Sequence, residues 1–187
     1  MDLLQEIQSK QRKKRALYFS PQSPCLQALS HLLSQQSRRT IILWALDLAE
    51  ADAAQLQQRY PQAHQPRAAI QAARDWAAGR CNMPAARQAI LACHALAKTI
   101  TAPADIALCH AIGQACSVVH TPKHALGLPI YELTALVHQQ GCEDCLPYLN
   151  QRLQIYVEKL LFWQAQAPHS TQPWAEFLPA ESPKEAP

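Results

Sequence analysis

Between Thr99 and Cys142 only three residues carry a full charge: Asp105, Lys123 and Glu132. A helical surface facing water normally carries more, so this stretch is expected to form the buried centre of the fold. Its histidines and Glu132 are then shielded from bulk solvent, and shielded polar groups need partners. Any chemistry is therefore expected within Ala107–Thr134. The longest uncharged run within this stretch, Ile106–Pro122, includes His110, Gly113, Gln114, Ser117 and His120. It is too short and too polar for a membrane span and fits a core helix.

Helix is the element that the rest of the chain supports. Ala and Gln recur, the 187 residues include only 4 glycines, and runs of β-branched residues are scarce. Ala and Gln favour helix, whereas Val, Ile and Thr favour strand. No Asn-Gly or Asp-Gly hairpin signal separates alternating segments. The expectation is an all-α, compact single-domain bundle of about seven to eight helices. Three regions are read along it: an N-terminal helical extension over 1–37, a helical core with its C-terminal helix over 38–166, and a Pro-rich flexible tail over 167–187.

The punctuation sets the helices. A first helix is expected from Asp2 to about Phe19, broken by Ser20–Pro24, and a short second from Cys25 to Leu33. A long one runs from about Arg38 to Arg59, with Ile42, Leu46, Ala49, Ala53 and Leu56 at helical spacing. Pro66 opens the next in a tolerated first-turn position, and Gly79 is a C-terminal cap candidate. Asn82 or Met83 caps another, led by Pro84. Thr101, Pro103 and Asp105 together form a start signal: a capping hydroxyl, a first-turn proline and a carboxylate at the positive helix end. The helix they open carries a polar stripe of His110, Gln114, Ser117 and Thr121, and Gly113 on it predicts close approach of a neighbouring backbone. Thr121-Pro122 restarts the chain, Pro129 is expected to kink the new helix, and Gly141 to end it. Glu143 and Asp144 open the last. Trp174, Phe177 and Leu178 in the tail either dock on the body or lie idle.

Charge narrows the partners. The formal net charge is +3. Lys10, Arg12, Lys13, Lys14 and Arg15 against Asp2 and Glu6 already supply it, so the remaining chain is neutral. A nucleic-acid role for the body is not expected, and the basic cluster reads as the solvated face of a helix. Seven cysteines, an odd number scattered through apolar helical patterns, read as reduced thiols. With no secretory signal in residues 1–20, the chain is expected to be cytoplasmic.

Several groupings bear on chemistry. His120 and His124 are four apart, the spacing that places two imidazoles on one helical side where a third ligand completes a metal site. Glu132 is the third ligand nominated, with His110, His94 and Cys109 as further donors, although Pro122 interrupts the helix between the histidines. The competing reading is a buried hydrogen-bond network of His94, His110, Gln114, His120, Thr121, His124 and Glu132 that fixes the fold without a ligand. No cofactor is expected on that reading, and one divalent metal on the other. Cys142-Glu143-Asp144-Cys145 is a lone CxxC without the βαβ setting of a redox motif. Ile90–Ala95 echoes Ile106–Ala111 sixteen residues on, as two core helices with similar packing needs would. No catalytic residue is assigned.

Trp44-Ala45-Leu46-Asp47-Leu48-Ala49-Glu50, Tyr60-Pro61, the run from Pro66 to Gly79, His94-Ala95 and the run from Val119 to Gly127 together resemble the Imm-5-like family. Its members are assigned as immunity proteins of bacterial polymorphic toxin systems. The resemblance covers roughly Arg38–Gln140. It implies an all-α domain that binds a cognate toxin protein stoichiometrically and does no chemistry. The alternative is a small helical metal-binding protein or metal-dependent hydrolase with a buried His/Glu site. Relatives often carry His at the place of Gln114, so a metal or catalytic site here would lack a member.

Overall fold

A computed structural model of the chain describes residues 2–178. Its eight α-helices are α1 (Leu3–Arg12), α2 (Gln27–Ser34), α3 (Arg38–Arg59), α4 (Gln65–Ala77), α5 (Met83–Leu96), α6 (Pro103–Ser117), α7 (Gly127–Gln140) and α8 (Leu146–Gln166). Short 3-10 turns join several of them, and the described residues contain no strand. The expected all-α bundle is therefore the observed one. No described helix is long and apolar enough to cross a membrane.

α6 is the axis. It packs against α7, α3, α5 and α4, and Leu108, Cys109, Ala111, Ile112, Ala115 and Cys116 on it are buried. Past its first turn, only its polar stripe of His110, Gln114 and Ser117 reaches partway to solvent. α3 and α8 close the other side, where Trp44 and Tyr156 are fully buried and meet edge to face at 6.3 Å between ring centroids. The indole N–H of Trp44 donates to the Tyr156 carbonyl at 2.9 Å. This ties α3 to α8 and satisfies a donor that would be costly to leave unpaired.

Caps explain several of the boundaries. Ser37 Oγ accepts from the Thr40 amide at 3.1 Å, and Asn82 Oδ1 accepts from the Ala85 amide at 3.0 Å. Gly79 and Gly141 follow α4 and α7 with φ of 72° and 80°, the left-handed region in which a residue without Cβ is unstrained.

Four local expectations need correction. α1 stops at Arg12, not near Phe19, because Lys14 turns left-handed (φ 50°) and the Arg15 amide closes back onto the Lys10 carbonyl at 3.0 Å. Tyr18 and Phe19 then enter the core from a loop. Thr101 does not cap α6; Ala102 stands there without a side-chain bond. Asp105 is held instead by Arg59 at 2.6 Å and by the Tyr60 hydroxyl at 2.9 Å. Pro129 falls in the first turn of α7, where its missing N–H costs nothing, so the chain bends through the 3-10 turn Pro122–Leu126 ahead of it. α8 begins at Leu146 behind Cys145, leaving Glu143 and Asp144 in the connecting turn.

The tail docks as far as it is described. Leu178 is fully buried, the Phe177 ring lies 5.8 Å from Trp76, and the Ala175 amide donates to the Ala77 carbonyl at 2.7 Å. The rest of the expected tail, residues 179–187, lies outside the described residues.

Candidate functional site

The charged centre of the molecule is one that sequence pattern half concealed. Glu132 on α7 is buried, and both of its oxygens are engaged: Oε1 pairs with the Arg152 guanidinium, and Oε2 accepts from the Tyr156 hydroxyl at 2.9 Å. Asp52 on α3 is 1% exposed, and neither carboxylate oxygen meets a donor. Burial, then the Glu132 carboxylate beside it, holds the Asp52 acid well above the usual carboxylate range. Burial pushes Glu132 the same way, but Arg152 and Tyr156 oppose it. The pair therefore shares one proton. It sits on Asp52, the member without donors, which can then donate to Glu132. For Arg152, burial works against the charge, yet Glu132, Tyr156 and Asp52 outweigh it. The unit is one anion, one cation and one neutral acid, with both carboxyl groups buried and Arg152 reaching partway to solvent. The sequence pattern nominates neither Asp52, which stands between Ala49 and Leu56 on the inward stripe of α3, nor Arg152, one turn before the inward Tyr156.

The second grouping is a half-buried strip where α5, α6 and the turn before α7 meet. His94 Nδ1 and His110 Nδ1 face each other at 2.9 Å. One ring must carry its proton on Nδ1 and the other on Nε2. His124 Nδ1 lies 2.8 Å from Gln114 Oε1, so this nitrogen is the donor. The Tyr131 ring packs on His110 at 5.2 Å. Burial lowers the affinity of His94, His110 and His124 for a second proton; His110 and His124 add to this at His94, and His120 adds to it at His124. At neutral pH the strip is an uncharged run of imidazoles and an amide. The sixteen-residue echo has its meaning here, since it sets His94 against His110 and directs the Cys93 thiol to the Cys109 carbonyl at 3.5 Å.

Two glycines make room for the strip. A Cβ on Gly113 would run into the His94 ring, with Cδ2 only 2.8 Å away, and a Cβ on Gly127 would run into the Gln114 amide. The expected close neighbour of Gly113 is thus a side chain and not a helix backbone. Gly113→Ala is expected to cost about 1–3 kcal/mol by overpacking and to break the His94–His110 bond. In a His94→Ala background the same substitution should become neutral or stabilising, because Ala is the better helix former by ~1 kcal/mol. Urea denaturation of the four proteins measures this; a stabilising Gly113→Ala in the parent would show that the ring moves aside freely.

The nominated metal ligands take three different partners. His120 is exposed and stacks on Trp76 at 6.1 Å and 22°, His124 turns to Gln114, and Glu132 faces Arg152 and Tyr156. The buried network read across them divides into two bonded pairs, His94–His110 and Gln114–His124, apart from the Glu132 unit. Thr121 precedes the 3-10 turn without a side-chain cap bond. Among the described residues no three His, Cys, Asp or Glu side chains gather as a metal would require. All seven thiols are free. Burial raises Cys93 and Cys109 to about 12. It also raises Cys142 and Cys145, so the CxxC pair lacks the thiolate character that redox chemistry needs.

A sequence model of the family described as Imm-5 like putative immunity protein matches residues 31–159. The match contains α3 to α7 and most of α8, including both polar groupings, and the chain belongs to this family. It extends beyond the Arg38–Gln140 stretch that carries the resemblance by eye. Neither the curated proteins nor the solved structures give a significant match.

Proposed function

We propose that the chain is a stoichiometric immunity protein: it binds a toxin protein and performs no chemistry of its own. The family match over residues 31–159 carries this reading. The geometry supports it, because the strongest acid–base constellation in the molecule is spent internally. Glu132, Asp52 and Tyr156 are 4%, 1% and 0% exposed, and their charges and protons answer one another. The histidines in partial contact with solvent are likewise paired. What the molecule offers to a partner is surface.

Co-expression with a toxin domain encoded beside this chain tests the proposal. Protection should rise in proportion to the immunity protein until the two are equimolar, and the pair should elute together in size-exclusion chromatography. Protection at far below equimolar amounts would point to turnover, and its absence at excess would remove the immunity reading.

A further inference from the structure

The N-terminal segment lies outside the family match, yet it builds one wall of a surface groove. The groove has a volume of about 440 Å³ and is lined by Leu17, Ile106, Ala107, His110, Tyr131 and His138, with Arg15 at its rim. Its lining is apolar and aromatic, and no carboxylate lines it. Burial holds His110 and His138 toward the neutral form.

The wall is fixed by the core and not by chance. Ile7, Tyr18 and Phe19 are buried, the Tyr18 amide donates to Thr134 Oγ1 at 3.3 Å, and the Tyr18 ring packs on His138 at 5.1 Å. Between these anchors the chain must turn, and it turns through Lys10, Arg12, Lys13, Lys14 and Arg15. Arg12, Lys13, Lys14 and Arg15 are exposed. None of the five cations enters an ion pair among the described residues. Glu6, the nearby acid on α1, is buried and accepts from Ser23 Oγ at 2.6 Å, so its charge is turned inward. A block of unneutralised positive charge thus stands at one end of an aromatic-lined groove.

We infer that this groove is a docking site for an acidic segment of a partner protein that carries an aromatic side chain. The aromatic group would enter between Ile106 and the His110 and Tyr131 rings, and flanking carboxylates would meet Arg12–Arg15. Aromatic anchors in pockets carry most of the energy of such interfaces, while rim charges set encounter rate and partner choice. A single-stranded nucleic acid also combines stacking with cations, but it needs positive charge tracking its backbone along the groove. Here Arg15 is the one lysine or arginine that lines the groove, and no cation continues along its other lining residues. The inference rests on the immunity reading only for the identity of the partner as a toxin.

The probe is a fluorescein-labelled peptide of Asp and Glu with one central Trp, followed by anisotropy at low salt. Replacing its Trp by Ser should weaken binding by at least ~10-fold, the scale of a modest hot spot. The combined variant Arg12→Glu, Lys13→Glu, Arg15→Glu should weaken it by a similar factor, roughly 10-fold or more, and lower the association rate. Ala16→Glu, at an exposed groove position, should also weaken binding without touching the core. Circular dichroism confirms that these surface variants fold. Binding that ignores the Trp, tighter binding of a single-stranded oligonucleotide, or no binding would each overturn the inference. A triple variant that still neutralises a toxin neutralised by the parent would overturn this surface and leave the immunity reading intact. Trp-dependent peptide binding without any toxin neutralisation would do the reverse.

Discussion

Replacing Asp52 by Asn and Glu132 by Gln together is expected to cost about 3–5 kcal/mol, the scale of leaving a buried charge uncompensated. Arg152 is the stranded group, with its side chain 17% exposed. Each single replacement should cost far less. Asp52→Asn exchanges a neutral acid for a neutral amide that can still donate to Glu132. Glu132→Gln removes the anion, but Asp52 is close enough to Arg152 to ionise in its place. Addition of Arg152→Met to the double variant should recover much of the loss, since buried ion groups are often replaceable by apolar side chains of similar volume. Urea denaturation of the set gives the coupling directly. A double variant no less stable than the sum of its singles would mean that the two acids do not substitute for one another.

The same unit predicts a pH dependence with a definite sign. The native state holds the Asp52 proton to higher pH than the unfolded chain, whose aspartates titrate near ~3.9. Below that value this contribution is complete, and it is lost as pH rises toward the native value. The slope from this group is up to about 1.4 kcal/mol per pH unit. The histidines act oppositely. His94, His110 and His124 bind a second proton less readily in the fold, so their contribution is present above the unfolded histidine value near ~6.5 and lost as pH falls below it. Asp52→Asn should abolish the first trend and leave the second. Its stability relative to the parent must then grow with pH, and a flat difference from weakly acidic to alkaline pH would place the shared proton elsewhere.

The helices were legible because prolines, caps and stripes act locally. Pro66, Gly79, Asn82 and Gly141 each do what their chemistry requires within one turn of chain. The buried charge unit was not legible, because it joins α3, α7 and α8, and nothing in a single helix tells an inward Asp from an outward one. Its trace was present all the same: Asp52 and Arg152 stand at inward spacings where an apolar residue is the default. The burial of Glu132 is legible, but its partners Arg152 and Tyr156 lie on α8 and Asp52 on α3, beyond the reach of a local pattern. The histidines failed in another way. His120 and His124 share a helical spacing that matters only on an unbroken helix, but α6 ends at Ser117, ahead of His120, and His124 lies in the 3-10 turn that Pro122 opens. The pairing that did form, His94 with His110, crosses two helices whose register no local signal records.

Removing everything after Ser170 is expected to lower stability by about 3 kcal/mol, although residues 171–178 form no helix or strand and the lost segment lies outside the family match. Leu178 alone is fully buried, which accounts for about 1.5–3 kcal/mol. Two arginines add to this in a way that the helix itself requires. Arg38 and Arg39 occupy the first turn of α3, where the positive end of the helix dipole disfavours cations. Arg38 donates to the Phe177 carbonyl at 3.1 Å, and Arg39 donates twice to the Leu178 carbonyl at 2.9 and 2.7 Å. Arg39 also lies over the Trp174 ring at 5.1 Å. Truncation strands the Arg39 guanidinium at the wrong helix end, leaves Arg38 only its bond to the Val119 carbonyl at 3.1 Å, and uncovers Trp76, which the Phe177 ring now covers. The truncated protein should therefore unfold at lower urea, and its tryptophan emission should shift to the red before unfolding begins. Leu178→Ala, which keeps the backbone carbonyls, should reproduce the loss in apolar burial but not the full effect. Equal midpoints for the parent and the truncated chain would mean that the docked tail contributes nothing net, its ordering entropy offsetting every contact it makes.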